Sequence, residues 1–131
     1  MQSHHPVRRA ESFQHAFEGL FHALINEANF RIQVLIVIVS VVAGIYFKIS
    51  TTEWSILTLA MGFLLFGEIV NTVVEEFTDH IILEESFAAK VIKDLGAGFV
   101  LVSAITTLII LFFIFGNPVY EFLQKEYQLF L

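Results

Sequence analysis

Glu68, Asn71, Glu75 and Asp79 stand at helical intervals in the stretch GEIVNTVVEEFTD. At roughly 100° per residue they share about a third of a helix circumference with Thr72. Ile69, Val70, Val73, Val74 and Phe77 occupy the opposite side. The stretch directly follows the apolar run WSILTLAMGFLLF. Carboxylates at the end of a membrane helix are costly, and where they occur they usually serve a function. Two further polar clusters flank apolar runs. INEANFRIQ carries Asn26, Glu27, Asn29 and Arg31, and AAKVIKDLGAGF carries Lys90, Lys93 and Asp94.

Together these side chains can do a specific kind of chemistry. Glu27 and Glu75 are hard oxygen ligands suited to Mg²⁺. Two carboxylates are too few for an all-protein cage, which favours a metal completed by phosphate oxygens and water. Lys93 offers a point charge for a phosphoryl group. Glu68, nearest the bilayer, has the apolar surroundings that suit a general base near neutral pH. The set fits phosphoryl transfer, in which catalysis is mostly positioning and charge stabilisation. Neither GxxxxGK[ST] nor GxGxxG occurs, and LGAGF reads as a helix-packing pair of glycines. Each cluster also has a plainer reading. Glu76 and Asp79 suit a helix that has emerged into water, and Arg31 suits a snorkelling residue. Lys90 and Lys93 suit a positively charged cytoplasmic flank, with Asp94 near a helix start.

The elements that must position these groups follow from apolar run lengths. Only LGAGFVLVSAITTLIILFFIF is uncharged over the ~20 residues that cross a bilayer. The runs 34–47 and 54–67 fall short, and each becomes long enough only by continuing into a polar flank. The first extends back through Gln33, Arg31 and Glu27, and the second forward through Glu68, Asn71 and Glu75. Consecutive spans run antiparallel, so both flanks gather at one membrane side. The expected architecture is an all-α membrane protein of one domain, with spans at about 28–48, 54–78 and 94–116. An amphipathic surface helix at about 8–25 precedes them, because Phe13, Ala16, Phe17, Leu20, Phe21 and Leu24 recur every three or four residues. Trp54 suits an interfacial anchor. The tail PVYEFLQKEYQLFL reads as a weaker amphipathic helix after a break at Asn117-Pro118. An N-in topology puts Arg8, Arg9, Arg31, Lys90 and Lys93 on one side and only Lys48 and Lys125 on the other. The polar face is therefore expected to be cytoplasmic.

Composition narrows the class. The chain is 56% hydrophobic with mean hydropathy +0.76, too apolar for a small soluble domain. Its net charge of −6 and scattered Lys and Arg exclude a nucleic-acid footprint. The absence of cysteine excludes disulfides and thiolate metal sites. The first twenty residues show no signal-peptide pattern or lipidation motif, so anchoring is expected from the spans themselves.

Five segments in order carry a family resemblance: SFQHAFEGL at 12–20, NEANFRIQ at 26–33, EW at 53–54, EIVNTVVEEFTD at 68–79 and AAKVIKDLGAGFVLV at 88–102. The series resembles the prokaryotic diacylglycerol kinase and undecaprenol kinase family over roughly residues 12–115. The resemblance implies a small lipid kinase of the bacterial cytoplasmic membrane, with three spans and a surface helix. It further implies a homotrimeric bundle with active sites shared between subunits, and transfer of the γ-phosphoryl group of MgATP to a lipid alcohol at the cytoplasmic interface. By the family pattern Glu68 is the general base, Glu27 and Glu75 bind Mg²⁺, and Lys93 and Asp94 hold ATP. Asn71 and Asp79, with Asn26 and Arg31, support the site, while Arg8, His15 and the loop from Glu84 to Ser86 touch the nucleotide. The chain departs from the pattern at Gln33, where some diacylglycerol-type members carry a carboxylate, and at Val73, where many carry Ala. FRIQ and SFQHAFEGL lean toward the undecaprenol kinase branch.

Two other classes compete. A proton or ion pathway component also uses intramembrane carboxylates. It needs polar residues through the bilayer depth, and the opposite halves of the spans, such as VLIVIVSVVAGIYF, offer scattered Ser and Thr only. A structural adaptor with an acidic face explains the composition but not the ordered clusters.

Overall fold

The computed structural model describes residues 6–81 and 86–129, with side chains described from Glu11 onward. Four helices follow in order: α1 (Pro6–Asn26), α2 (Ala28–Phe47), α3 (Thr51–His80) and α4 (Phe87–Leu129). The last three are long and apolar enough to cross a membrane. Both short apolar runs do continue as helix into their polar flanks. α3 has 30 residues and α4 has 43. At ~1.5 Å per residue each exceeds a hydrocarbon core of ~30 Å.

The connections have local causes. Glu27 is extended (φ −94°, ψ 114°) between α1 and α2, so the chain bends at a single residue. Arg31 closes the exposed end of α1, since its guanidinium donates to the Ile25 carbonyl at 2.6 Å. That satisfies an orphan carbonyl and places a cation at the negative helix terminus. α2 stops at Lys48, whose left-handed backbone (φ 54°) lets Ile49 N–H reach the Gly44 carbonyl at 3.1 Å. α3 then starts on a capping box. Ser50 Oγ accepts from Glu53 N–H at 3.3 Å, and Glu53 Oε2 accepts from Ser50 N–H at 2.7 Å.

The principal packing is α3 against α4. Leu57, Ala60, Met61 and Ile114 form its apolar centre, joined by Val37, Trp54 and Phe115. Thr107 Oγ1 donates across to the Ala60 carbonyl at 3.2 Å. Two small residues permit the close approach. A Cβ at Gly67 would lie 2.9 Å from Ser103 Cβ, and one at Gly96 would lie 2.8 Å from Asn71 Oδ1. Small residues at helix crossings are how membrane bundles gain van der Waals contact without a hydrophobic driving force. Large apolar side chains such as Leu59 (75% exposed) and Phe113 (76%) point outward, as a lipid solvent requires.

The expected break at Asn117-Pro118 is absent: α4 runs through Pro118 to Leu129. Proline deletes one backbone hydrogen bond, but packing on both sides of it holds the helical path. Ile114 belongs to the α3–α4 core, and beyond Pro118 the Phe122 ring lies 6.5 Å from that of Phe47. The tail is thus the end of the third candidate span rather than a separate surface helix.

Candidate active site

The three polar clusters meet at one end of the bundle, where the start of α2, the end of α3 and the start of α4 lie side by side. Glu68 is at the centre and is 1% exposed. Gln33 Nε2, on α2, donates to Glu68 Oε2 at 2.9 Å. Asn29, one turn earlier on α2, lies beside this carboxyl. Glu75 and Glu27 are its charged neighbours. One turn beyond Glu68, Asn71 donates through Nδ2 to Glu75 Oε1 at 3.0 Å. Asn71 is itself 6% exposed, and its side chain rests on Gly96 of α4. Lys93 Nζ donates to Asp79 Oδ1 at 2.7 Å, which ties the membrane-remote end of α3 to α4.

Three buried polar atoms here lack a partner: Gln33 Oε1, Asn71 Oδ1 and Thr72 Oγ1. A buried acceptor without a donor costs about 1–3 kcal/mol. Three in one cluster mark a place organised for something other than stability. Beside them a groove of about 540 Å³ opens between α1 and α3, floored by Leu20, Ala23, Ile69, Val73 and Phe77. His22 Nε2 of α1 lies 3.9 Å from Glu76 Oε1 of α3 at its edge.

Among the described residues no three His, Asp or Glu side chains converge into a closed metal cage. The donor set at Glu68 is instead two carboxylates, Glu27 and Glu75, with the unpartnered Asn71 amide oxygen on the same helix face as Glu75. Hard oxygens in that number fit Mg²⁺, which keeps several waters or phosphate oxygens in its shell.

Other residues singled out from the sequence have local partners. Asp94 pairs with Lys90 at 3.5 Å on the exposed face of α4. Asn26 Nδ2 donates to the His22 carbonyl at 2.9 Å. Arg31 closes α1 as described above. Ser86 Oγ accepts from Ala89 N–H at 3.1 Å at the start of α4, as a helix-capping hydroxyl does. His15 lies on exposed α1 with Nδ1 3.0 Å from Glu18 Oε2. Hydrogen bonds from Gln14 and His15 hold the Glu18 carboxyl below the usual carboxylate range. Glu84 and the Arg8 side chain lie outside the described residues.

Sequence reasoning missed Gln33 as the partner of Glu68 and Asn29 as its neighbour. Their signal was present. They stand four residues apart, hence on one face of α2, and Gln33 is an amide inside a run that is otherwise apolar from Ile32 to Val39.

Comparison with known proteins identifies the family. A family model described as prokaryotic diacylglycerol kinase matches residues 14–115, which include Glu27, Glu68, Glu75 and Lys93. The chain is 32% identical over 105 residues to an undecaprenol kinase of Bacillus subtilis, covering 80% of this chain and 85% of that protein. It is 29% identical over 101 residues to a diacylglycerol kinase of Synechocystis, covering 76% of this chain and 57% of that longer protein. The chain with the buried Glu68 cluster belongs to the prokaryotic diacylglycerol kinase family of lipid kinases.

Proposed function

We propose that this protein transfers the γ-phosphoryl group of MgATP to the hydroxyl of a membrane lipid, undecaprenol or diacylglycerol, at the cytoplasmic interface. The observation that carries this is the buried Glu68 carboxyl, held by Gln33 with Asn29, Glu27 and Glu75 beside it. A carboxylate oriented by a neutral donor and shielded from water is built to accept one proton from one direction. Glu68 removes the proton of the lipid hydroxyl as its oxygen attacks the γ-phosphorus, and ADP leaves.

Glu75 and Glu27 would hold Mg²⁺, with Asn71 orienting Glu75 through its amide. When bound there, Mg²⁺ neutralises charge on the transferring phosphate oxygens. Lys93, only half-buried and tethered by Asp79, presents a positive charge to the nucleotide, and Asp94 stands next to it on α4. The groove between α1 and α3 is apolar enough for the hydrocarbon of the acceptor lipid. α1 would lie along the membrane surface with its Phe and Leu side chains in the interface. The excess of Arg and Lys at this end supports a cytoplasmic orientation. One chain leaves Lys93, Asp79 and Asp94 partly open to solvent, which suits a homotrimer whose neighbouring subunits complete each site.

The test is transfer of labelled phosphate from ATP by purified protein, with diacylglycerol and undecaprenol compared as acceptors. Mg²⁺-dependent labelling of one or both is expected. Labelling of neither, by protein that is folded and lipid-reconstituted, overturns the proposal.

A further inference from the structure

Gln33 is the buried polar residue on α2 that touches the Glu68 carboxyl, and only half of its amide is used. Nε2 donates to Glu68 Oε2 at 2.9 Å, while Oε1 is buried and unpartnered in a residue 6% exposed. An ionised carboxylate can only accept hydrogen bonds, so the amide nitrogen must face it. A protonated carboxyl carries one O–H donor and needs an acceptor instead. A primary amide supplies either, since a half-turn about its last side-chain bond exchanges Nε2 for Oε1. Lys, a donor only, or Leu, with neither function, could not serve both states.

We propose that Gln33 is a positioning residue matched to both protonation states of Glu68, donating to the carboxylate before proton transfer and accepting from the carboxylic acid after it. The inference rests on the assignment of Glu68 as the base. The lipid O–H bond breaks and a Glu68 O–H bond forms. The freed alcohol oxygen bonds to the γ-phosphorus as the bond from that phosphorus to the ADP oxygen breaks. The protonated Glu68 is then held by Gln33 Oε1 until the proton passes to water. The orphaned oxygen is thereby explained: its donor exists only after the chemical step.

The experiment uses the full chain in lipid nanodiscs and compares Gln33→Leu, Gln33→Met and Gln33→His with Glu68→Gln. Leu and Met remove both hydrogen-bonding functions, and Met also preserves the unbranched shape in case Leu impairs folding. Histidine restores both functions by changing tautomer. Misorientation of a catalytic group costs up to about 100-fold, so Gln33→Leu and Gln33→Met should lower kcat by about 10- to 100-fold with KM for MgATP held within about twofold. Gln33→His should recover at least half of that loss on a logarithmic scale. Difference infrared spectra should show the carboxylic C=O stretch of Glu68, identified by its absence in Glu68→Gln, moving to higher frequency in Gln33→Met as its hydrogen bond is lost. An inactive Glu68→Gln beside a Gln33→Met with unchanged kcat and unchanged stretch overturns the inference alone. Wild-type turnover in Glu68→Gln overturns the base assignment and the inference together.

Discussion

At one end of the bundle Glu68, Gln33, Asn71 and Thr72 are buried with hydrogen-bonding atoms to spare, whereas the other end closes with ring contacts. There Phe47 meets Phe115 at 6.3 Å and Phe122 at 6.5 Å, and Tyr46 meets Phe122 at 6.1 Å. The aromatic end also has complete caps, with the Ser50–Glu53 box and the left-handed Lys48 leaving few backbone groups unpaired. Both ends lie on the same three helices, so the difference is not one of fold. Stability is concentrated where polar groups are few and satisfied. The polar end carries buried unpartnered atoms that cost stability.

Substitutions at the two ends should therefore separate activity from stability. The largest effect is expected for Glu68→Gln, which keeps the shape and the Gln33 contact but removes the base. Phosphoryl transfer should fall by about 10²- to 10⁴-fold, with circular dichroism and thermal unfolding close to wild type. A Glu68→Gln protein that unfolds early would instead make Glu68 a structural residue.

Gly96→Ala should come next. Its new Cβ would lie 2.8 Å from Asn71 Oδ1 and 3.0 Å from a Val74 methyl, so Asn71 must move and loosen Glu75. Overpacking of this kind costs about 1–3 kcal/mol, and activity should fall further than stability accounts for. Steady-state kinetics compared with unfolding in the same detergent will show whether the two losses part. Leu57→Ala, deep in the α3–α4 core, is expected to do the reverse. It should cost about 2 kcal/mol or more of stability while turnover per folded molecule stays unchanged.

Phe47→Ala is expected to be milder and confined to the aromatic end. Losing its ring pairs should cost about 1 kcal/mol beyond lost packing, measured by unfolding, with kcat unaffected. The smallest effect belongs to α1. Gln14→Ala should raise the titration midpoint of the Glu18 carboxyl toward the ordinary value, seen by carbon-13 NMR. Because the folded-state value is depressed, whatever helix stability this contact adds is present above the unfolded carboxylate range. It is lost as pH falls through the folded midpoint.

Much of the polar end was legible beforehand because helical spacing is a one-dimensional code. Glu68, Asn71, Glu75 and Asp79 fall on one face wherever α3 sits, and the short apolar runs forced the helices to extend into their polar flanks. The end of α4 was not legible in that way. Proline reads as a stop locally, yet Ile114 before it and Phe122 after it pack against partners from α3 and α2, and those contacts hold the helix through the missing hydrogen bond. Gln33 illustrates the same limit. Its position among apolar residues was visible as a departure, but its meaning depends on Glu68, 35 residues later, at 2.9 Å.

Composition and period alone determined that the chain is helical and too apolar for water. They also determined that it carries three polar clusters at the ends of apolar runs, while the order of its motifs carried the family resemblance. Those properties are sums or spacings along one strand of sequence. Tertiary structure alone decided which clustered groups touch. Lys93 of α4 meets Asp79 of α3, and Arg31 of α2 caps α1. The amide of Gln33 meets the Glu68 carboxyl with its own oxygen left over. Hydrogen bonds act over about 3 Å. The depth at which α4 seats on α3, set by Gly67 and Gly96, therefore decides which of their polar groups meet.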